Sequence, residues 1–416
     1  MEVSKVTVID SIMGSGKTSW AKEYMKKHQE TKRFIYVSPY LEEIEENILK
    51  ECAFLVQPDS KKGRGSKLTH FKELLVNGES IITTHSLFRK FDEEVMDLLK
   101  DSGYTLILDE VANVIERLEK ATKTDIEMLL TAKKIAVEGR KVIWLDDGYN
   151  GVFDGRYANI KYHAQQGNIY LHGDCILFWT FPAKVFDLFE ETYILTYLFD
   201  GQIQRYYYDL FNIDYTYKSV EKVEQGYRLA PHNAKSEGRE VYKNLINIYE
   251  GNLNENYIPK KPRGNELSST WLQNADSATL ERLKKNLITY FRKGCQAKSE
   301  DIIWTTKKDF KGKLKGNGYT KGFVSLNIRA TNKHQETHNL AYVYNRYMNP
   351  IEKAFFNDAG VRVNEDLLAV SDLLQWIWRS AIRKQEAESI NIYIPSLRMR
   401  TLLKQWLNNE EIKFKK

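Results

Sequence analysis

The sequence predicts an α/β protein built on parallel sheets, and three observations lead there. Apolar runs of strand length alternate with segments of helical periodicity in both halves of the chain. The first run, "KVTVID", feeds a glycine loop, "SIMGSGK", that opens a helix. A later run, "YTLILDE", delivers two adjacent carboxylates, Asp109 and Glu110, at the end of a strand. In such repeats each helix carries the chain back to the end of the sheet where the previous strand began, so neighbouring strands run parallel.

Composition sets wide bounds. The 416 residues suffice for two ordinary domains, with 42 % hydrophobic and 28 % charged residues. Net charge is +6, a mild excess that permits a nucleic-acid track without arguing for one. The three cysteines, Cys52, Cys175 and Cys295, form no C-x-x-C pair, which speaks against zinc sites and a disulfide framework and fits a reducing cytoplasm. The opening residues "MEVSKVTVID" are too polar for a secretion signal, and no apolar stretch reaches membrane-spanning length. The expected location is therefore the cytoplasm, that of the host if a phage encodes the chain, with no membrane partner.

Taken in order, "KVTVID" is a buried strand and "TSWAKEYMKKHQ" a helix with Trp20, Ala21, Tyr24 and Met25 on its inner face. Between them, Gly14 and Gly16 let backbone amides turn toward phosphate oxygens, with Ser15 between them. Lys17 would reach the terminal phosphates, Thr18 would hold a magnesium ion, and the helix N-terminus adds its positive end. The usual phosphate-loop pattern wants glycine at position 11, where this chain has Ser11. That position marks where the chain leaves the strand, so a small residue can serve.

"RFIYVSPYLEEIEENI" and "GESIITTHSLFRKF" each read as a strand followed by a polar turn. At the end of "YTLILDEV", Asp109 would bind the magnesium ion through water and Glu110 would polarise the attacking water. "NIYLHGDCILFWTF" is aromatic and partly alternating, which predicts a β-hairpin or sheet addition. It could separate strands or simply extend a buried sheet. "ETYILTYLFDGQ" predicts the last core strand of a first domain spanning residues 1–215. Residues 216–265 are polar and mixed, as in a linker or insertion, and 266–416 form a second domain. There "DIIWTT", "GFVSLNIRATN" and "INIYIPS" read as strands, with the helix "EDLLAVSDLLQWIWRSAIRK" before the last. Gln375, Arg379 and Arg383 recur every four residues, a spacing that predicts one polar face on an apolar helix. Either an ion-pair face or arginine fingers aimed at a nucleotide accounts for it.

This ordered set resembles a superfamily 2 helicase of the compact kind encoded by bacteriophages. "SIMGSGKT" resembles the family's first motif, "IYVSPY" and "ITTHSLF" the DNA-contacting motifs that follow, and "LILDEV" its second motif. "ILTYLFDG", "FVSLNIRATN" and "QWIWRSAIR" are similar to the third, fifth and sixth. In the last, Trp378 stands where the family has glycine and Arg383 falls one residue late, so which arginine faces the γ-phosphate is open. The resemblance implies two RecA-like parallel-sheet domains with a nucleotide cleft between them, binding ATP and Mg2+. It implies a helicase or translocase acting on single-stranded or forked DNA in phage replication or recombination, with RNA as the alternative track and replication proteins as partners. Nucleic-acid contacts would come from Ser38 and Tyr40, from Thr83, Thr84 and His85, and from Arg329, Thr331 and Asn332. Two other functions fit the same motifs. One is an ATP-switched origin-binding protein or helicase loader that does not unwind. The other is a DNA-packaging terminase, which would need a nuclease carboxylate triad that the second half does not offer.

Overall fold

In the computed structural model the described residues are 5–118, 121–145, 155–233, 237–257, 264–326, 333–384 and 386–413. They form two compact units. The first comprises Met1–Asp10, Lys17–Ala230 and Pro350–Arg362; the second comprises Ser11–Gly16, Pro231–Asn349 and Val363–Lys416.

Chain order gives β1 (Val6–Asp10), β2 (Arg33–Ser38), β3 (Ile81–Thr84) and β4 (Tyr104–Asp109). Next come β5 (Ile115–Arg117), β6 (Ile135–Glu138), β7 (Lys141–Trp144), β8 (Ile169–His172) and β9 (Ile176–Thr180). The first unit closes with β10 (Glu191–Thr196), β11 (Tyr215–Val223) and β12 (Gly226–Pro231). The second unit holds β13 (Ile246–Ile248), β14 (Ile302–Thr305), β15 (Asn339–Tyr342) and β16 (Ile390–Tyr393).

The main sheet of the first unit runs β12-β11-β1-β10-β4-β2-β3, and the pairings from β11 to β3 are parallel. The α/β class read from the sequence holds. Its strands are apolar on both sides because both faces are covered. Side chains alternate strictly: Ile35, Val37, Leu106 and Leu108 enter one core, while Phe34, Tyr36 and Ile107 enter the other. Helix Lys17–His28 covers the second face with Trp20, Ala21 and Met25.

Between β4 and β10 the chain builds a second sheet, β5-β9-β8-β7-β6, with antiparallel pairings. The expected hairpin is β8–β9, in register from Ile169–Trp179 to His172–Ile176. It is one part of a larger insertion with its own apolar cluster around Ile126, Val142, Ile169 and Leu177. Phe178, Trp179 and Phe181 are buried, so these aromatics act as core.

The boundaries expected from composition differ from those observed. Two strands of the first sheet, Tyr215–Val223 and Gly226–Pro231, take up the first part of the expected 216–265 linker. Their alternation of exposed and half-buried residues at a sheet margin looks like a polar linker in one dimension. Helix Pro350–Asn357, expected in the second domain, belongs to the first unit. Phe355 lies 4.5 Å from Phe178 under the Arg140 guanidinium, and Phe356 lies 5.7 Å from Tyr206. Phe355 is wholly buried, so Phe355→Ala should cost about 3–5 kcal/mol. A fall in the urea midpoint checks this.

The second unit carries a parallel sheet, β13-β16-β15-β14. "DIIWTT" and "INIYIPS" become β14 and β16 as expected. The strand expected at "GFVSLNIRATN" does not form over its described part, which contributes one bridge from Phe323 to Trp304. The centre is taken instead by β15, whose four residues are all buried.

Candidate nucleotide site

The first unit gathers its polar residues at the carboxyl ends of β1, β10, β4, β2 and β3, where open parallel sheets bind ligands. β1 ends at Asp10, and the helix begins at Lys17. Gly14 and Gly16 have φ of +82° and +96°, a conformation that side chains resist, and the Ser15 amide donates to the Ile12 carbonyl at 3.2 Å. Ser11 is not among the left-handed residues, so the missing glycine removes no conformation the loop requires. Asp10 does work that its sequence position did not advertise. Its buried carboxylate accepts from the Leu198 and Phe199 amides at 2.8 and 2.9 Å, tying the start of the loop to the turn after β10. That turn passes through Leu198 at φ +54°, and Thr196 and Tyr197 are buried beside it.

Asp109 ends β4, one strand away from β1 across β10. The Tyr36 hydroxyl donates to its Oδ2 at 2.8 Å, and the His85 Nε2–H donates to its carbonyl at 3.0 Å. Burial, reinforced by the neighbouring Glu110 carboxylate, pushes Asp109 up to about 7; the Tyr36 hydrogen bond and the Lys17 charge pull the other way. Lys17 and Asp109 therefore sense each other across the sheet end. Glu110 has φ +69°, and its amide donates to the Leu195 carbonyl at 3.0 Å. A non-glycine residue held left-handed costs about 1 kcal/mol or more and directs attention to function. The following turn is pinned by Gln204, which accepts from the Ala112 amide at 2.7 Å.

The expected nucleic-acid contacts at β2 and β3 do come together: Ser38 pairs in register with Thr84, and Val37 with Thr83. Ser38 and Thr83 are 0 % and 2 % exposed, so their side chains do not reach solvent. Thr84 caps helix His85–Phe88 by accepting from the Leu87 amide. Tyr40 is exposed, and Thr84 and His85 are partly so. Arg329, Thr331 and Asn332 lie outside the described residues.

In the second unit the expected polar face on one helix is corrected. The helix is Glu365–Ile377, and Trp378 ends it. Trp378 packs against Tyr242 and Trp406, with ring centroids 4.8 and 5.7 Å away, and Ser380 Oγ donates to the Ile377 carbonyl at 2.7 Å. Gln375 is thus helical and 9 % exposed, Arg379 follows the helix end and is 4 % exposed, and Arg383 lies in the separate turn Ala381–Arg383. This turn is held beside the start of β15. The Ala381 amide donates to the Thr337 carbonyl at 3.0 Å, and Lys384 pairs with Glu336 and Glu388.

His338 completes that anchor, bridging Asp301 at 2.8 Å and Glu388 at 2.6 Å. The Glu388 and Asp301 hydrogen bonds raise its pKa against the opposing effect of burial. A histidine raised on folding stabilises fully below its unfolded value of about 6.5 and loses that contribution as pH rises through its folded value. The protein should therefore lose stability as pH climbs past neutrality, and His338→Asn should flatten that part of a thermal-melt pH series.

Among the described residues no cluster of three or more His, Cys, Asp or Glu could hold a metal ion by itself, and no helix is long and apolar enough to cross a membrane.

Two stretches of the chain match known protein domains. Residues 115–179, the inserted antiparallel sheet, match the YonV middle domain. Residues 240–407 match the YonV C-terminal Rossmann-like domain. The solved structure titled "Structure of S. tokodaii Xpd4" is a distant likeness at TM-score 0.40 and 12 % identity, covering 98 % of this chain and 94 % of that one. The chain is 38 % identical over 421 residues to the "SPbeta prophage-derived uncharacterized protein YonV" of Bacillus subtilis (strain 168), covering 98 % of this chain and 100 % of that protein. It belongs to the YonV family.

Proposed function

We propose that this protein hydrolyses ATP and couples the reaction to movement along nucleic acid, as a DNA helicase or translocase. One observation carries the reading: two left-handed glycines sit between β1 and a helix beginning at Lys17, while Asp109 and Glu110 end a strand of the same sheet. Backbone amides of Gly14 and Gly16 would cradle the phosphates, joined by that of Ser15 once it leaves the Ile12 carbonyl, and Lys17 would neutralise the β- and γ-oxygens. Thr18 and Asp109 are hard oxygen donors suited to Mg2+, which keeps several waters and takes phosphate oxygens as its remaining ligands. Bound there, the ion would neutralise charge on the transferring phosphoryl group. A nearby cation would also favour the ionised form of Asp109, which burial alone opposes. Glu110 would orient and polarise the attacking water. Arg379 and Arg383 would supply positive charge at the γ-phosphate, with Gln375 as a neutral hydrogen-bonding partner. Tyr40, Thr84 and His85, at the same sheet end, are the accessible candidates for nucleic-acid contact, with Arg329, Thr331 and Asn332 from the second half. The prophage origin of the Bacillus relative fits a role in phage DNA replication or recombination.

The test is the ATPase rate with single-stranded DNA, duplex, forked DNA and RNA, alongside a strand-displacement assay. Stimulation with displacement supports a motor. ATP-modulated binding without displacement makes the protein a nucleotide-switched binder, and absence of ATPase under every condition overturns the reading. Glu110→Gln should stop turnover while leaving ATP binding within a few-fold of the parent, because Asp109 still supports the metal. Equilibrium binding of a fluorescent ATP analogue measures this, and loss of binding in a folded variant would reverse the roles of the two acids.

A further inference from the structure

The sixteen residues 306–321 carry six lysines against one acid, Asp309, so a segment of net charge +5 sits in a chain whose whole net charge is +6. The rest of the molecule is close to neutral, and the excess is concentrated here. The segment leaves the carboxyl end of β14 and returns where the Val324 amide donates to the Trp304 carbonyl at 2.9 Å. Both ends are thus pinned to the same strand.

Its interior is apolar and ordered. Phe310, Leu314 and Tyr319 are buried. Tyr319 packs edge-on to Trp304 at 5.2 Å and its hydroxyl donates to the Leu314 carbonyl at 2.5 Å. Gly316 is required for this, since a Cβ there would meet the Tyr319 ring at 2.7 Å. These anchors turn Lys308, Lys311, Lys313, Lys315 and Lys321 outward into solvent. Arg292 joins them, its Nε 3.2 Å from where a Cβ on Gly318 would stand.

Among the described residues none of those five lysines has a carboxylate partner; Asp309 pairs with Lys307 instead. Lys311 and Lys313 lie over the Phe323 and Phe310 rings, contacts that hold their stems without neutralising their charge. A solvated charged face usually mixes signs or pairs along a helix. Like charges fixed on a rigid ledge repel one another, and a polyanion relieves that repulsion.

We infer that the ledge of Lys308, Lys311, Lys313, Lys315 and Lys321, with Arg292, binds the phosphodiester backbone of nucleic acid. It deepens the nucleic-acid part of the proposed function. The occupant is a regular polyanion, matched by flexible point charges that carry no sequence preference. The two aromatic rings of the segment are buried, so base stacking is not part of the contact, and duplex and single strand should both be held by their phosphates.

The experiment compares the full-length parent with the fourfold variant K308Q/K311Q/K313Q/K315Q and with the corresponding fourfold Lys→Arg variant. Fluorescence anisotropy of labelled 30-residue single-stranded and duplex DNA is read across a KCl series without nucleotide. Each phosphate contact contributes about 0.9 to the slope of log K against log salt for duplex and about 0.7 for single strands. The Gln variant should lose roughly 3 units of slope and bind at least ~10-fold more weakly at low salt. The Arg variant should bind like the parent, and thermal melts should coincide. Unchanged affinity and slope in the folded Gln variant overturn the ledge, as does a parent that binds anionic phosphatidylserine vesicles but not DNA. Basal ATPase without DNA keeps the two proposals apart. ATP hydrolysis with DNA binding indifferent to the lysines sinks the ledge alone, and lysine-dependent DNA binding without hydrolysis sinks the ATPase alone.

Discussion

Lys17→Ala is expected to abolish ATP hydrolysis and weaken ATP binding. Lys17 opens the helix directly after the two left-handed glycines, where the amides and the helix N-terminus already favour phosphate. It supplies the loop's only side-chain cation for the β- and γ-phosphates. Removing a single donor from developing charge costs about two to three orders of magnitude in turnover, and a full charge should cost no less. The variant should stay folded, because the core contacts of this helix come from Trp20, Ala21 and Met25. It should also remove a charge that restrains Asp109, so that carboxyl should rise further. Steady-state ATPase with a melting curve checks the outcome, and near-parental turnover would remove the nucleotide site.

Arg379 and Arg383 offer the second large effect. If they complete the chemistry, alanine at the critical one should slow hydrolysis by roughly three to five orders of magnitude. ATP binding should change far less, since the phosphate contacts are expected from Gly14, Ser15, Gly16 and Lys17. Lysine should rescue poorly because the planar fork is lost. Burial separates the two residues. Arg379 is 4 % exposed, so truncating it also removes buried packing and should lower stability. Arg383 sits half-buried in its turn and should tolerate replacement. Arg383→Ala with an unchanged melting temperature and collapsed turnover assigns it to the reaction. Should both Ala variants keep stimulated ATPase within a few-fold of the parent, the two-unit motor fails.

Much of the site was legible because its grammar is local. A strand, two glycines, a lysine and a helix lie within a few residues of one another, and each constrains its neighbours directly. Asp109 and Glu110 were visible as polar residues at the end of an apolar strand. Asp10 was not, because its partners Leu198 and Phe199 are far along the chain. Neither was the bond from Tyr36 to Asp109, which depends on β2 lying beside β4. The four-residue spacing of Gln375, Arg379 and Arg383 suggested one continuous helix, but packing of Trp378 on Tyr242 and Trp406 accompanies its end three residues after Gln375.

The sequence by itself determined the α/β class, the parallel strands and the glycine loop between β1 and its helix, since apolar period and glycine placement act over a single element. Tertiary structure alone decided which surface each apolar face would cover. Phe355 and Phe356 needed an apolar seat, and only packing shows that it lies on the first unit. Polar strands 215–231 needed a sheet edge, and only the register shows that β1 provides it. Burial then separated Ser38 and Thr83, whose side chains are enclosed, from Thr84 and His85, which stay at the surface. The physical reason is the same in each case. Propensity is set by near neighbours, whereas the burial that stabilises an element is shared with residues that only the folded chain brings close.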